Sequence, residues 1–411
     1  MDENKSKPDH RKIGQELDLF TFSSLVGSGL PLFTPRGTIL RDELLGFSEE
    51  LQRKNGYQKV FIPHITKNEL YKKSGHWDKF GEELFLVSSQ ETSDQMVLKP
   101  MNCPHHTQIF ASRPRSYREL PIRYMESTVQ YRDEKKGELN GLSRVRSISI
   151  DDAHVFCTLD QIKSEFTAIV TMIKEMYGTF GLPFKARLSF RDSSDGYLGE
   201  SKNWELAQKI LKEVAQETEL DHMTAEGDAA FYGPKIDIMI TDSLGREWQC
   251  ATEQLDFVMP ERLGLKYVDA DGQEKTPVMI HKALLGSFER FLSVYLEHTD
   301  GKLPVWLSPE QLRIVTINDD SDVLRTAEQL AKAAEQKNIR AKIDTSNESV
   351  SRKIRESEVM KVPYTVVIGK REVESQEVIP RVRDELNKPE KESLSFDELL
   401  DYIHAQIADR K

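Results

Sequence analysis

The segment from Arg123 to Phe156 is rich in side chains suited to phosphate chemistry. It reads as two β-like stretches around a Gly- and Lys-rich loop, and the second stretch ends in Asp151-Asp152-Ala153-His154. Guanidinium groups match phosphate geometry and stabilise the negative charge that develops in nucleotidyl transfer. Arg132 and Arg144 are therefore candidates for holding a polyphosphate. The competing interpretation, from composition alone, is a charged hairpin in solvent.

Three residues that can ligate a metal lie far apart in the sequence: Cys103, His154 and His281. No C-x-x-C or H-E-x-x-H spacing accompanies them, so their spacing is a weak signal of a metal site. Ten histidines and three cysteines also offer many accidental triples. Taken one at a time, each is better explained as a core cysteine or a packed histidine than as a metal ligand. The residues alone do not establish a ligand set.

The elements that must position these side chains alternate between helical and β-like patterns. Apolar residues recur at helical spacing from Leu40 to Leu51 and stop at Gly56, which predicts a helix that ends there. The VFIPHI stretch that follows predicts a short strand, limited by Pro63. Further predictions up to residue 298 are short β-like runs over 84–156, a capping box of Thr158 and Gln161 before an amphipathic helix from Ile162 to Tyr177, a helix over 203–218, strands over 231–258, and a strand, turn and helix over 278–298.

The composition shifts at the proline-bounded connector 303–309. Beyond it, strand patterns in LRIVTI, IRAKID and YTVVIG alternate with helical patterns over 321–337 and 349–361, and a last helix is predicted from Phe396. This alternation is typical of a small α/β domain with a largely parallel sheet. The sequence therefore predicts two domains with a boundary near residue 305.

Composition and charge exclude several classes of protein. A chain of 411 residues with 38% hydrophobic and 30% charged residues is typical of a globular protein. It contains no apolar run of the ~20 residues needed to cross a bilayer. Its first residues lack the apolar stretch of a secretory signal and carry acidic residues that mitochondrial transit peptides avoid. We therefore expect a cytoplasmic protein.

The three cysteines, Cys103, Cys157 and Cys250, are too few and too scattered for a disulfide framework and fit a reducing compartment. A net charge of −11 disfavours a general nucleic-acid coat, because phosphate binding draws on lysine and arginine. Local basic clusters, such as the Arg144/Arg146 pair, still allow a shaped RNA surface.

Four blocks resemble the catalytic blocks of threonyl-tRNA synthetases, in the same order and at suitable spacing: LKPMNCPHH (98–106), RVRSISIDDAHVFC (144–157), FYGPKIDI (231–238) and VMIHKALLGSFERFL (278–292). The three class II motifs are also recognisable, and the similarity extends from near residue 9 to the C-terminus. The resemblance implies an α+β fold, with a class II catalytic domain (antiparallel sheet flanked by helices) over 1–304 and a small α/β anticodon-binding domain over 305–411. Class II enzymes of this group are usually homodimers, so a homodimer is expected by resemblance.

The resemblance implies that Cys103, His154 and His281 are the protein ligands of one zinc ion per subunit. A zinc of this catalytic type has three protein ligands and leaves room for a substrate. Threonine fills that room with its α-amine and β-hydroxyl, whereas valine has no hydroxyl to offer. A site built around a substrate hydroxyl rejects the analogue without it by roughly 10⁴–10⁵-fold. In the family, the residues matching Asp152 and Tyr232 receive the hydroxyl and help to close the pocket.

The same resemblance implies that Arg132 and Arg290 clamp the phosphates of ATP, with Mg²⁺ bridging phosphate oxygens. The threonine carboxylate attacks the α-phosphate to give threonyl-adenylate and pyrophosphate, and the adenylate is passed to the terminal ribose of tRNA(Thr). This chemistry needs positioning and electrostatics but no protein nucleophile. The other residues carried over from the family are Lys235 with a catalytic role, Gln249 and Arg132 for threonine, Glu134, Arg144, Gln249, Thr252 and Ser287 for ATP, and Gln254 in the lining.

The C-terminal part resembles the anticodon-binding domain shared by several class II synthetases. Glu372 and Arg381 match residues that read an anticodon base, and Asn347 and Arg355 match the neighbouring RNA surface. This mode suits RNA, whose unstacked loop bases are read by hydrogen bonds to their edges. The alternative is a set of ordinary surface charges on an α/β module.

The chain also departs from the family. Longer members carry an N-terminal editing region, and none is found before residue 9, so we expect a form that lacks it, naturally or by trimming. Zinc cannot exclude serine, and we predict serine misactivation that is corrected by a separate editing protein or tolerated. The middle of the second block, Ser147–Ile150, differs from the family's RVRGFTQDDAH, and Ile150 removes one polar contact. Thr128 stands where the family often has glycine. We expect retained activity with altered pocket detail or inhibitor response.

Two other functional classes fit parts of the sequence. A synthetase-like protein could bind tRNA or an amino acid for regulation, but the loss of Arg132, Arg290 or a zinc ligand that would favour this is not found. A class II ligase for serine or proline is the other alternative. Proline is disfavoured because it has no side-chain hydroxyl to place on a metal.

Overall fold

A computed structural model describes residues 8–242 and 245–411, which form two compact units. The larger unit comprises residues 22–31 and 45–294, and the smaller unit comprises residues 8–21, 32–44 and 295–411. The domain boundary near residue 305 remains a prediction. Across the described ranges, no helix combines the length and apolar character needed to cross a bilayer.

The helices of the described residues are α1 (His10–Glu16), α2 (Pro35–Lys54), α3 (Asn68–Ser74), α4 (His76–Phe80), α5 (Cys103–Ala111), α6 (Ile162–Thr179), α7 (Ser201–Glu217), α8 (Val258–Arg262), α9 (Phe288–Thr299), α10 (Ser321–Gln336), α11 (Val350–Val359), α12 (Lys370–Ser375) and α13 (Phe396–Ala408). The helices predicted before Gly56, over 203–218 and after residue 278 are confirmed. The capping box of Thr158 and Gln161 is also confirmed, in a short 3-10 turn that leads into α6.

The strands of the described residues are β1 (Phe20–Thr21), β2 (Leu32–Phe33), β3 (Gln58–Lys59), β4 (Ile65–Lys67), β5 (Leu86–Ser88), β6 (Gln95–Leu98), β7 (Ile122–Tyr131), β8 (Ser147–Cys157), β9 (Phe184–Phe190), β10 (His222–Glu226), β11 (Lys235–Thr241), β12 (Glu247–Asp256), β13 (Tyr267–Val268), β14 (Glu274–Lys275), β15 (Val278–Ser287), β16 (Leu312–Thr316), β17 (Ala341–Asp344), β18 (Tyr364–Ile368), β19 (Glu377–Val378), β20 (Arg381–Val382) and β21 (Leu394–Ser395).

An eight-stranded sheet forms the centre of the larger unit, in the order β10-β9-β11-β12-β15-β8-β7-β3. Its inner pairs are antiparallel, and only the edge pairs β10–β9 and β7–β3 are parallel. Strand β15 is buried along its length except at its last residue. The apolar face of α6, which includes Phe166, Ile169 and Ile173, is buried as its spacing predicts. The fold class expected from the sequence is confirmed.

Gly286 interrupts β15 at its C-terminal end. Its φ is +77°, a conformation that favours glycine, and the register with β8 shifts between Ala283 and Ser287. A Cβ atom at Gly286 would lie 2.3 Å from the carbonyl oxygen of Cys250 on β12. Close packing of the two strands therefore requires glycine at this position.

One prediction in the larger unit is wrong, and another is incomplete. VFIPHI is irregular except at its last residue, Ile65, which begins β4, because Pro63 has no N–H and the N–H of Ile62 donates to the Glu126 side chain at 3.0 Å instead of to a strand. The β-like pattern over 84–156 is interrupted by α5, whose first turn contains Pro104. This helix places Cys103 at its first position.

The smaller unit contains a four-stranded sheet in the order β17-β16-β18-β20. The first three strands are parallel and β20 is an antiparallel edge strand, so the predicted largely parallel sheet is confirmed. Helices α10, α11 and α13 match the predicted helical patterns. The short elements α12 and β20 were not predicted, and they carry Glu372 and Arg381.

Candidate active site

The structure brings Cys103, His154 and His281 together in the larger unit. His154 on β8 and His281 on β15 are directly opposite partners in the antiparallel register, and Cys103 begins α5. One ligand atom from each lies within 4.8 Å of the other two, and all three residues are buried. The long gaps in sequence are therefore closed by one strand pairing and one helix start.

The hydrogen bonds around this cluster leave nitrogen atoms available at its centre. His281 Nε2 lies 2.8 Å from Asp256 Oδ2, and His281 Nδ1 has no hydrogen-bond partner. His154 Nδ1 lies 2.8 Å from His106 Nδ1, which leaves its Nε2 facing Asp152 Oδ1 at 3.8 Å. Histidines that bind metals usually use one ring nitrogen for the ion and the other for an outer partner. The rings of the cluster fit this arrangement.

Burial shifts the pKa values of His154 and Cys103. It lowers the pKa of His154 well below its usual value, so the imidazole is neutral, which is the form that ligates metals. It also raises the pKa of the Cys103 thiol, and a divalent cation would stabilise the thiolate instead. One sulfur and two imidazole nitrogens form a donor set that suits zinc.

The side of the cluster predicted to bind threonine is lined by Asp152, Tyr232 and Gln254. Asp152 Oδ2 accepts hydrogen bonds from Asn102 Nδ2 at 2.9 Å and from Gln130 Nε2 at 3.2 Å. The Tyr232 ring lies against the His281 ring, with centroids 5.0 Å apart, and its hydroxyl donates to Gln254.

Arg132 and Arg290 lack the partners that most buried cations have. Within residues 8–242 and 245–411, neither guanidinium lies within 4.0 Å of a carboxylate oxygen. Arg132 contacts Met101 Sδ at 3.2 Å and lies over the Phe80 ring, and its buried Nε has no hydrogen-bond partner. Among the described residues, the Arg290 guanidinium donates only to two main-chain carbonyl oxygens, at 3.3 and 3.5 Å. Two cations without a carboxylate in direct contact are suited to bind a polyanion.

Burial disfavours the charged form of Arg132. It lowers the pKa of Arg132, the charges of Glu134 and Glu83 oppose this shift, and the charge of Arg290 adds to it. Arg144 differs, because its exposed guanidinium already lies 2.8 Å from both Glu134 and Glu138. The structure therefore does not leave Arg144 unpaired in the way that it leaves Arg132.

Asp237 joins three predicted residues and was missed by the sequence analysis. Its buried carboxylate accepts from Lys235 Nζ, from Gln249 Nε2 at 2.7 Å and from Thr252 Oγ1 at 2.9 Å. Arg187 donates to it as well, at 3.2 Å. A signal was present, since Asp237 lies two positions after Lys235 in a strand and therefore points to the same face. Ser287, the remaining predicted ATP residue, accepts from the Arg290 N–H at 3.3 Å.

Several other polar residues around the cluster were missed because nothing local in the sequence marks them. His76 is buried, with Nε2 at 3.4 Å from Cys103 Sγ and Nδ1 at 2.8 Å from Ser74 Oγ. Four other polar residues contact the two histidines or Asp152: His106, Asp256, Asn102 and Gln130. Only the packing of α3, α4 and α5 and the pairing of the strands bring them to the cluster.

The predicted anticodon residues lie in the smaller unit and are only partly assembled. Glu372 and Arg381 line one cavity of about 460 Å³. Asn347 and Arg355 are exposed and do not line it. Glu372 also accepts from the Gly369 N–H at 2.9 Å, so it has a capping role at α12 that needs no RNA.

Comparisons with known proteins agree with these features. Residues 85–299 match the family described as tRNA synthetase class II core domain (G, H, P, S and T), and residues 311–406 match the anticodon binding domain family. A relative named threonine--tRNA ligase from Gloeobacter violaceus is 45% identical over 416 residues, which cover 100% of this chain and 66% of the relative. One from Thermus thermophilus is 46% identical over 375 residues, which cover 90% and 57%. The chain thus spans about three fifths of the length of these relatives.

A solved structure adds a match over nearly the whole chain. The crystal structure of the RNA binding domain of threonyl-tRNA synthetase from Cryptosporidium parvum Iowa II superposes with a TM-score of 0.91 at 38% identity. The match covers 97% of this chain and 98% of that chain. Sequence and structure therefore agree that the chain belongs to the threonyl-tRNA synthetase family of class II tRNA synthetases.

Proposed function

We propose that this chain is a threonine–tRNA ligase that activates L-threonine with ATP and transfers it to the 3′ end of tRNA(Thr). The observation that carries the proposal is the buried Cys103, His154 and His281 cluster, with the carboxylate of Asp152 3.8 Å from His154. The same sheet and α9 also provide two arginines without carboxylate partners, for a polyphosphate.

Cys103, His154 and His281 would hold one zinc ion, and the ion would supply coordination sites for the amine and hydroxyl of threonine, which valine cannot use in full. Asp152 accepts a hydrogen bond from the substrate hydroxyl, and Tyr232 packs against His281 to close the pocket. The support is the donor set and the free ring nitrogen of His281. Valine fills the same volume but leaves Oδ1 of Asp152 without a donor, and a buried acceptor without its partner is costly.

Arg132 and Arg290 bind the ATP phosphates, and Mg²⁺ accompanies the nucleotide. Their guanidinium groups stabilise the charge that develops as the threonine carboxylate attacks the α-phosphate and pyrophosphate leaves. Lys235, Gln249 and Thr252 line the nucleotide side, where Asp237 orients them. Glu134, Arg144 and Ser287 complete the proposed ATP-binding set. The terminal ribose hydroxyl of tRNA then attacks the adenylate carbonyl and releases AMP.

Anticodon reading belongs to the domain proposed over 305–411. Glu372 and Arg381 read one unstacked base in the cavity that they line, and Asn347 and Arg355 contact the adjacent RNA. Carboxylate and guanidinium groups together offer an acceptor and donors to a base edge.

Three further parts of the proposal concern partners and location. A homodimer is proposed from the resemblance to class II enzymes of this group, which are usually homodimers. A separate editing protein is proposed because serine also has an amine and a β-hydroxyl. A cytoplasmic location is proposed from the three free cysteines and the absence of a membrane-spanning helix in the described residues.

The test is ATP–pyrophosphate exchange with threonine, serine and valine, before and after removal of the metal by a chelator. We expect threonine-dependent exchange that requires stoichiometric zinc and returns when zinc is added back. Exchange that is unaffected by complete metal removal would contradict the zinc assignment. The absence of threonine-dependent exchange in zinc-loaded protein would contradict the proposed activity.

A further inference from the structure

The paired strands β7 and β8 place a glutamine on the pocket face. Gln130 is opposite Ile148, Thr128 is opposite Ile150, and Glu126 is opposite Asp152. Because side chains alternate along a strand, these residues lie on one face, whereas Asp151 points to the other and accepts from Ser48. Ile148 and Ile150 have no side-chain donor. Gln130 therefore supplies an amide where the neighbouring strand cannot.

This amide binds the carboxylate that faces the metal cluster. Gln130 Nε2 donates to Asp152 Oδ2 at 3.2 Å, and Asn102 Nδ2 donates to the same oxygen at 2.9 Å. Both amide residues are almost fully buried, with 1% and 0% of their surface exposed. The other oxygen, Oδ1, is directed toward His154 Nε2 at 3.8 Å. One oxygen is thus fixed from two elements, β7 and the start of α5, and the other points into the cluster.

We propose that Gln130 is a specificity-determining positioning residue for the amino-acid pocket. Together with Asn102, it holds Oδ2 of Asp152 so that Oδ1 accepts the β-hydroxyl of the substrate. Without the Gln130 amide, the Asp152 carboxylate would turn between alternative orientations. Its hydrogen bond with the substrate hydroxyl would then be weaker. This inference rests on the proposed function, because it names the residue that prepares Asp152 for threonine.

The main variant is Gln130→Met, which keeps the length of the side chain and removes its donor. Its matched control is Gln52→Met, because Gln52 is also 1% exposed and donates one hydrogen bond, to Ser48 Oγ at 3.1 Å, away from the pocket. Asn102→Ser, which withdraws the second donor from the same oxygen, is the independent variant. Each protein is assayed for zinc per chain, for its melting temperature and for pyrophosphate exchange with threonine and valine.

For Gln130→Met we expect the KM for threonine to rise about tenfold, as for a lost hydrogen bond to a charged group. The KM for ATP and the zinc content stay unchanged, and the threonine-to-valine ratio of kcat/KM falls by the same factor. Asn102→Ser shifts the ratio in the same direction. Gln52→Met lowers the melting temperature without changing the ratio.

An unchanged threonine-to-valine ratio in folded, zinc-loaded Gln130→Met protein would overturn the proposal. Loss of zinc from this variant would also overturn it, because Gln130 would then support the metal ligands rather than Asp152. If Gln130→Met does not fold, an unchanged ratio in Asn102→Ser has the same meaning. Failure of the proposed function itself is recognised separately, since the unmodified chain would then show no threonine-dependent exchange.

Discussion

The two candidate sites differ in how they are built. In the larger unit, the cluster proposed to bind zinc is buried, and each of its histidines is held by an outer partner. In the smaller unit, Glu372 and Arg381 line an open cavity, and Asn347 and Arg355 are exposed. A small amino acid is selected by desolvated contacts that leave an incorrect substrate unpaired, whereas a nucleotide base needs an accessible surface. Changes in the buried site should therefore have the larger effects.

Removal of the Cys103 thiol should have the largest effect of any single substitution. We expect Cys103→Ala to lose stoichiometric zinc and to lower kcat/KM for threonine by at least about 10³-fold, because several kcal/mol of electrostatic stabilisation are lost with the metal. Metal analysis and pyrophosphate exchange measure both effects. Cys157→Ala removes a buried thiol from the strand that carries His154 and should keep the zinc. Full activity in metal-free Cys103→Ala protein would show that the buried cluster does not bind a metal needed for the reaction.

Removal of an unpaired guanidinium should have the next largest effect. We expect Arg132→Ala to lower kcat for exchange by about 10²–10³-fold, because a cation directed at developing charge is lost from a buried site. The zinc content should not change. The exposed Arg118 provides the control substitution to alanine. A loss of less than about threefold would mean that this arginine does not bind the reacting phosphates.

A series of threonine, serine and valine tests the buried site without a mutation. Serine keeps the amine and the hydroxyl that the proposed zinc site would bind and lacks only a methyl group, so we expect its kcat/KM to be about 10–200-fold below that of threonine. Valine should be about 10⁴–10⁵-fold below. A serine exchange rate less than one-thousandth of the threonine rate would contradict the proposed mode of selection.

Substitutions in the smaller unit should separate the two sites. We expect Arg381→Ala to lower kcat/KM for charging of tRNA(Thr) about tenfold, as for the loss of one base contact, and to leave pyrophosphate exchange unchanged. Exposed Lys332 on α10 provides the control. Equal losses in both assays would show that Arg381 acts through folding rather than through the anticodon.

The smallest effect is expected from a helix cap. Ser395 and Glu398 form a capping box at the start of α13. We expect Ser395→Ala to reduce the free energy of unfolding by about 1 kcal/mol and to leave exchange unchanged. Thermal unfolding measures the first effect. A change in the threonine-to-valine ratio of kcat/KM would contradict our expectation that a substitution in the smaller unit leaves the site in the larger unit unaffected.

Much of the fold was predictable because it depends on local periodicity. The α6 helix with its capping box and the alternating strands and helices after residue 312 follow directly from apolar spacing. The helix at Cys103–Ala111 was missed because it is short and lies among β-like runs. The irregular segment at Pro63 was missed because the partner of the Ile62 N–H is a distant glutamate side chain.

The candidate site was predictable only through resemblance. Spacing could not distinguish Cys103, His154 and His281 from chance, since their proximity arises from the register of β8 and β15. Asp256, His106 and Asp237 were missed for the same reason, as their hydrogen bonds cross between elements. Local sequence determines the helices and strands, but the outer partners of a site depend on which strands become neighbours.

Strand β15 gives the site a particular vulnerability. It carries His281 in its middle, bends at Gly286, and continues into the helix that bears Arg290. Any side chain at Gly286 would meet the backbone of Cys250 and push β15 away from β12. The proposed recognition of the amino acid through His281 and the proposed recognition of the nucleotide through Arg290 would then fail together. Random mutagenesis should therefore yield no substitution at Gly286 that impairs threonine binding and spares ATP binding, or the reverse.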